Sequence, residues 1–314
     1  MIRRNGGFLR LTALIAASMG GLGVVGGCQS LNTRATPVEV EIAEESAGID
    51  IRLARSLPLV PVMIHGQGPY WMLLDTGSDE TVLDEEVAEA IGLETQDRYA
   101  IISSGGHTRK MNTPQGRIDE VSIGESVFRY FDVVVSDLGS LSRTLRHRLD
   151  GIIGVQEISQ SVVTIDYQER QVRFSRARLE APDGVNRLPL SWRGSEAVVT
   201  MQIGGGEYRA KLDTGQVGAL SLSEEDRDAL GDQVTNRGSV THRTFTGSVE
   251  RDVVRLNGRL RVGALEIDNP HASIGGRTRL GSGALRRSVV RIDLKGGVLE
   301  IEPGEGPLRT RWWD

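Results

Sequence analysis

The chain carries a single cysteine, Cys28, in 314 residues. No disulfide can form within it, and no cysteine-based metal cage is available. Its histidines, His65, His107, His147, His242 and His271, are scattered and make no helical H-x-x-x-H pair. A metal site is therefore not expected, and no other cofactor is implied. No Gly-Lys-Ser/Thr phosphate loop occurs, and no Gly-x-Ser-x-Gly elbow surrounds a serine, which disfavours a serine hydrolase. Lysine is confined to Lys110, Lys211 and Lys295, and the net charge is −5. That balance argues against nucleic acid as a partner. Long apolar runs are missing too. The one candidate, 11–25, is short and glycine-rich for a membrane span.

What the chain does have is a tripeptide that occurs twice. Leu73-Leu74-Asp75-Thr76-Gly77-Ser78 is one copy and Lys211-Leu212-Asp213-Thr214-Gly215-Gln216 is the other. In each, an apolar run suited to a strand ends in Asp-Thr-Gly. A carboxylate at the end of a buried strand needs hydrogen bonds to hold it. The threonine hydroxyl and the close backbone approach allowed by glycine suit that task. One copy is weak evidence, because Asp-x-Gly is also a common turn.

The surroundings repeat as well. Leu57-Pro58-Leu59 precedes the first copy and Leu188-Pro189-Leu190 the second. Thr81-Val82-Leu83-Asp84-Glu85-Glu86 follows the first and Leu220-Ser221-Leu222-Ser223-Glu224-Glu225 the second. Gly154 leads to Ser161-Val162-Val163-Thr164-Ile165-Asp166, and Gly281 leads to Ser288-Val289-Val290-Arg291-Ile292-Asp293. An internal duplication explains this pattern. Two repeats of this length make two lobes.

The paired motif resembles the aspartic peptidases of the pepsin and retropepsin type. That family carries one Asp-Thr-Gly in each of two related lobes or subunits, and a later apolar-apolar-Gly element in each. Ile152-Ile153-Gly154 fits that element, whereas Arg279-Leu280-Gly281 departs at Arg279. Gln216 stands where the family has Ser, Thr or Ala; Ser78 is regular. The resemblance spans roughly 50–303. It implies an all-β chain of two related aspartic-protease-like β-barrel lobes with a few short helices. It also implies Asp75 and Asp213 as the catalytic pair, with Thr76, Gly77, Ser78, Thr214 and Gly215 supporting the loops. Two carboxylates that meet share one proton, so that one serves as base and the other as acid toward a water attacking a peptide bond.

In chain order, 1–28 reads as a lipoprotein signal peptide. Arg3, Arg4 and Arg10 precede the apolar stretch, which ends in the lipobox-like Val25-Gly26-Gly27-Cys28. Cys28 is the expected lipidation site; a plain secretory signal with an incidental cysteine is the alternative. Gln29 follows the cysteine rather than the Asp associated with inner-membrane retention, which weakly favours the outer membrane of a bacterial envelope. Residues 29–50 read as a flexible tether, with 39–45 as acidic, solvated surface.

The first lobe is expected over 51–178, the linker over 179–187, the second lobe over 188–303 and a tail over 304–314. A short helix is expected near 84–91, capped by Asp84 and stopped by Gly92. Gly105 and Gly106 sit in a stretch that reads equally as a substrate-covering flap or an ordinary surface hairpin, and 237–245 as a second flap or a loop. Strands are expected over 117–123, 128–135, 162–167, 171–174, 253–262, 266–274, 289–294 and 298–301, with a loop or short helix over 137–149. The expected function is a membrane-anchored aspartic endopeptidase acting on peptide or protein substrates as a monomer. The alternative is a non-catalytic binding protein for a peptide or an envelope partner.

Overall fold

The computed structural model describes residues 39–104, 107–244 and 247–310. Cys28, Gly105, Gly106, Trp312 and Trp313 lie outside the described residues, so the lipidation site and the flap tip do too. The described residues belong to one compact unit. The fold is all-β and aspartic-protease-like, with a few short helices.

Three sheets build it. A nine-stranded sheet is made from the first half of the chain and an eleven-stranded sheet from the second. The third, six-stranded, takes strands from both. At its middle Val162–Asp166 pairs antiparallel with Ser288–Asp293, with Val163 opposite Ile292 and Asp166 opposite Val289. These are the two Ser-Val-Val segments of the duplication. Their valines and isoleucines suit a strand covered on both faces, and most of them are buried.

The halves repeat element by element. In the first, Leu57–Ile64 pairs with Gln67–Leu74, which leads directly into Asp75. In the second, Glu196–Ile203 pairs with Gly206–Asp213. Each is followed by a short strand, Val82–Asp84 or Leu220–Leu222, and a helix, Glu85–Ala90 or Glu224–Leu230. Asp84 caps the first helix by accepting from the Glu86 N–H at 3.1 Å. Ser223 caps the second by accepting from the Asp226 N–H at 3.1 Å. Gly92, at φ +66, ends the first where a side chain would be strained. Each half then sends out a long hairpin, Thr95–Ser104 with His107–Ile123 and Val234–Thr244 with Gly247–Leu256. Residues 237–245 are thus mostly hairpin strand rather than loop.

Two expectations need correction. Glu39–Glu41 is a strand paired with Ser126–Ser136, and Ile49–Asp50 is a strand paired with Gln171–Ser175. Ile42 and Ser46 between them are buried. The expected tether over 29–50 therefore does not extend through 39–50, because Ile42 packs into the core, Ser46 exchanges hydrogen bonds with the Phe174 backbone and the two strands gain ladder bonds. The expected strands 253–262 and 266–274 are each broken. Asn257-Gly258 turns the chain between Gly247–Leu256 and Arg259–Val262, and Asn269-Pro270 separates Leu265–Asp268 from His271–Ile274. Gly258 at φ +149 and Asn269 at φ +47 supply backbone angles a continuous strand cannot hold. In the tail, Leu308–Arg309 adds a strand beside Leu265–Asp268 and buries Leu308.

Candidate active site

Both Asp-Thr-Gly loops leave the ends of parallel strand pairs. Gln67–Leu74 runs beside Gly151–Ile153, and Gly206–Asp213 beside Arg279–Gly281. The loops interlock through their threonines. The Thr76 N–H donates to Thr214 Oγ1 at 2.9 Å, and the Thr214 N–H donates to Thr76 Oγ1 at 3.1 Å. Each hydroxyl in turn donates to the strand across the interface, Thr76 to Leu212 O at 2.9 Å and Thr214 to Leu74 O at 2.7 Å. Both threonines are buried, so every donor in this reciprocal set finds an acceptor out of water.

The glycines bring the two carboxylates together. A Cβ at Gly77 would collide with the Asp213 carboxylate, and one at Gly215 with that of Asp75. Asp75 Oδ1 accepts from both loops, from the Gly77 N–H at 2.7 Å and the Gly215 N–H at 3.1 Å. Gly154 and Gly281 press on the backs of the loops in the same way. The Val155 N–H donates to Ser78 O at 2.8 Å, and the Ser282 N–H to Gln216 O at 2.9 Å.

Asp75 is pushed up to about 7. Burial is the largest cause and the nearby Asp213 charge the second; the Gly77 N–H, Lys211 and the Gly215 N–H pull the other way. The protonated form is therefore available well above the usual carboxylate range, as a general acid requires.

Residues 60–156 match the aspartyl protease family model. The matched stretch holds the first Asp-Thr-Gly and its Ile152-Ile153-Gly154 element, and the second loop lies beyond it. No curated protein matches the chain.

Beside the aspartyl protease resemblance stands a local difference between the halves. In the first, Leu57, Leu73 and Ile152 belong to a buried apolar cluster behind the Asp75 strand. Leu59 faces Leu73, and Ile152 is in register with Leu73. In the second half, Val198 faces Lys211 and Arg279 is in register with Lys211. The counterparts of Leu57, Leu73 and Ile152 are thus Glu196, Lys211 and Arg279. Three apolar side chains are replaced by three charged ones. Arg279 Nε lies 3.3 Å from Asp213 Oδ2. Lys211 Nζ donates to Gly77 O at 2.7 Å and lies 3.6 Å from Glu196. Arg277 closes on Glu196 at 2.5 Å.

The other residues singled out from the sequence have supporting places. Ser78 Oγ donates to Glu80 O at 2.7 Å rather than to Asp75. The Gln216 amide donates within its own loop to Gly218 O at 3.4 Å and accepts from Ser221 Oγ, on the following strand, at 3.2 Å. Ser282, read as a turn or packing residue, donates to Thr214 O at 2.7 Å, and the buried Tyr167 hydroxyl meets it at 3.0 Å. The sequence reading missed Lys211 and Glu196. A lysine two residues before the second Asp, where the first copy has Leu73, was the available signal. Among the described residues no cluster of His, Cys, Asp and Glu could hold a metal ion.

Proposed function

We propose that this chain is an aspartic endopeptidase whose acid and base are Asp75 and Asp213. The observation that carries the reading is the reciprocal threonine interlock, which brings both carboxylates into one site. A water between them would lose a proton to the ionised carboxylate as its oxygen attacks the peptide carbonyl. The protonated partner would hydrogen-bond the carbonyl oxygen and help supply the proton needed by the leaving amine. No covalent intermediate is required. Peptides or proteins are the substrates, and the long hairpins of both halves would border the cleft they enter.

Asp75→Asn and Asp213→Asn should each reduce cleavage of a peptide library by a thousandfold or more, with folding intact by circular dichroism. Because the two act as one unit, the double variant should be no worse than either single one. Near-native activity in either folded single variant would refute the assignment.

The same reading includes an envelope location. Cys28 would be acylated after removal of 1–27, holding the catalytic lobes outside the cytoplasm, with the outer membrane favoured. One acyl chain binds only reversibly, so stable attachment requires more than one. Wild type and Cys28→Ser are compared after growth with a labelled fatty acid; label in the wild type alone is expected, and equal label in both would remove the anchor from the proposal.

A further inference from the structure

The two aspartates are held by different means. Asp75 takes backbone N–H donors from both loops, Gly77 at 2.7 Å and Gly215 at 3.1 Å. Among the described residues no backbone N–H donates to the Asp213 carboxylate. Its neighbour is the Arg279 guanidinium, 3.3 Å away, on a side chain only 15% exposed. Arg279 occupies the place held by Ile152 in the first half, so nothing in the packing of this element demands a cation there. Burying an arginine is unfavourable without an anion beside it, and Asp213 is the anion within reach.

We propose that Arg279 is a positioning residue that keeps the charge of the dyad on Asp213, making Asp213 the base and Asp75 the acid. The inference rests on the peptidase reading of the site. Other charged groups belong to the second half. Lys211, on the strand of Asp213, is bound to Gly77 O and Glu196 and works the other way, acting to lower Asp75. From the adjoining loop comes Arg277, whose partner is also Glu196. From the second hairpin comes Arg251, buried, repelled by Arg279 and attracted by Glu224, which lies on the helix after the second loop. Positive charge is thus gathered on the second-half side of the pair. On the first-half side stands the apolar cluster of Leu57, Leu73 and Ile152. A carboxylate flanked by cations retains its negative charge more readily than one flanked by hydrocarbon. The elevated titration of Asp75 fits the same polarity.

The chemistry then has a direction. Asp213 takes one proton from water as the water oxygen bonds to the peptide carbon, and Asp75 gives its proton to the carbonyl oxygen. As the C–N bond breaks, the amine takes the proton held by Asp213, and a hydroxyl of the tetrahedral species returns one to Asp75. The net change is addition of one water across the peptide bond, and both carboxyl groups end as they began.

The test uses the enzyme with Arg279→Leu, which copies the apolar first-half environment, and Arg279→Lys, which keeps the charge. In Arg279→Leu the acid limb of the pH profile of kcat/KM should move up by about 1–3 units. Arg279→Lys should recover at least half of that shift. An unmoved acid limb in folded Arg279→Leu overturns the proposal. A second arm does not depend on activity or on the variant folding. Wild type with ¹³Cγ-labelled aspartate is titrated by NMR, with Asp75→Asn and Asp213→Asn used for assignment. At about pH 5.5 Asp75 should be protonated and Asp213 ionised; the reverse overturns the proposal. If the wild type cleaves no peptide, the peptidase reading fails while this arm still decides where the charge resides.

Discussion

At the scale of single residues, the behaviour of Asp75 has a thermodynamic counterpart. In the unfolded chain its carboxyl titrates near 3.8, and in the fold only near 7. Between those values the folded state binds the extra proton. The stability contributed by this group is therefore complete below about pH 4 and is lost as pH rises through about 7. Asp75→Asn has no such proton to lose. Its stability advantage over wild type should widen as pH rises from about 4 to about 7.5, at up to about 1.4 kcal/mol per unit. Urea midpoints for both proteins across that range check it, and a constant difference would contradict it. The paired carboxylates were legible in the sequence because Asp-Thr-Gly is contiguous and repeated. Arg279 was visible only as an irregularity in the apolar-apolar-Gly element. Its approach to Asp213 depends on the parallel register of two strands distant in sequence, which no local pattern encodes. Lys211 had a local signal, the lysine where the first copy has Leu73, but its contact with Glu196 depends on the same long-range register.

At the scale of elements, the short helix after the first loop, the closing strands and the central hairpins could be anticipated, since caps, β-branched runs and duplicated segments are local signals. The turn at Asn257-Gly258 was equally local, yet the apolar residues on either side masked it as one long strand. Residues 39–50 misled in the opposite sense. Their polarity suggested solvated chain, whereas Ile42 and Ser46 tuck in and the edge strands satisfy their backbone groups. The apolar-Gly element makes a sharper demand. A Cβ at Gly154 would lie 2.7 Å from Glu80 O and 3.1 Å from Ser78 O, both in the loop that carries Asp75. Backbone on both sides leaves little freedom to give way. Gly154→Ala should therefore cost about 1–3 kcal/mol of stability and lower kcat at least tenfold by moving Asp75, with KM changed much less. Thermal unfolding and peptide kinetics on the same preparation check this. Unchanged kcat in a folded variant would show that the loop tolerates the added methyl.

At the scale of the whole molecule, one chain contains both loops, and the shared six-stranded sheet joins its halves. The interlocked threonines are 138 residues apart. Pairing in cis gives the loops a high effective concentration for one another. The halves have also diverged at Leu73 against Lys211 and Ile152 against Arg279, so two copies of the first half would lack the cationic side. Specific activity should therefore stay constant over a hundredfold dilution, with a monomer mass by light scattering; activity falling together with loss of a dimer would show that the pair forms between chains. The same sheet bears on when the two loops can first meet. Its central contact, Val163 with Ile292, cannot form until nearly all of the chain has been made. Contacts so distant in sequence close slowly, after more local structure has formed. The first half thus emerges holding only one carboxylate of the pair. During synthesis the unfinished molecule therefore holds one carboxylate without its counterpart, and under the peptidase reading it stays inert until the second loop is made and docked.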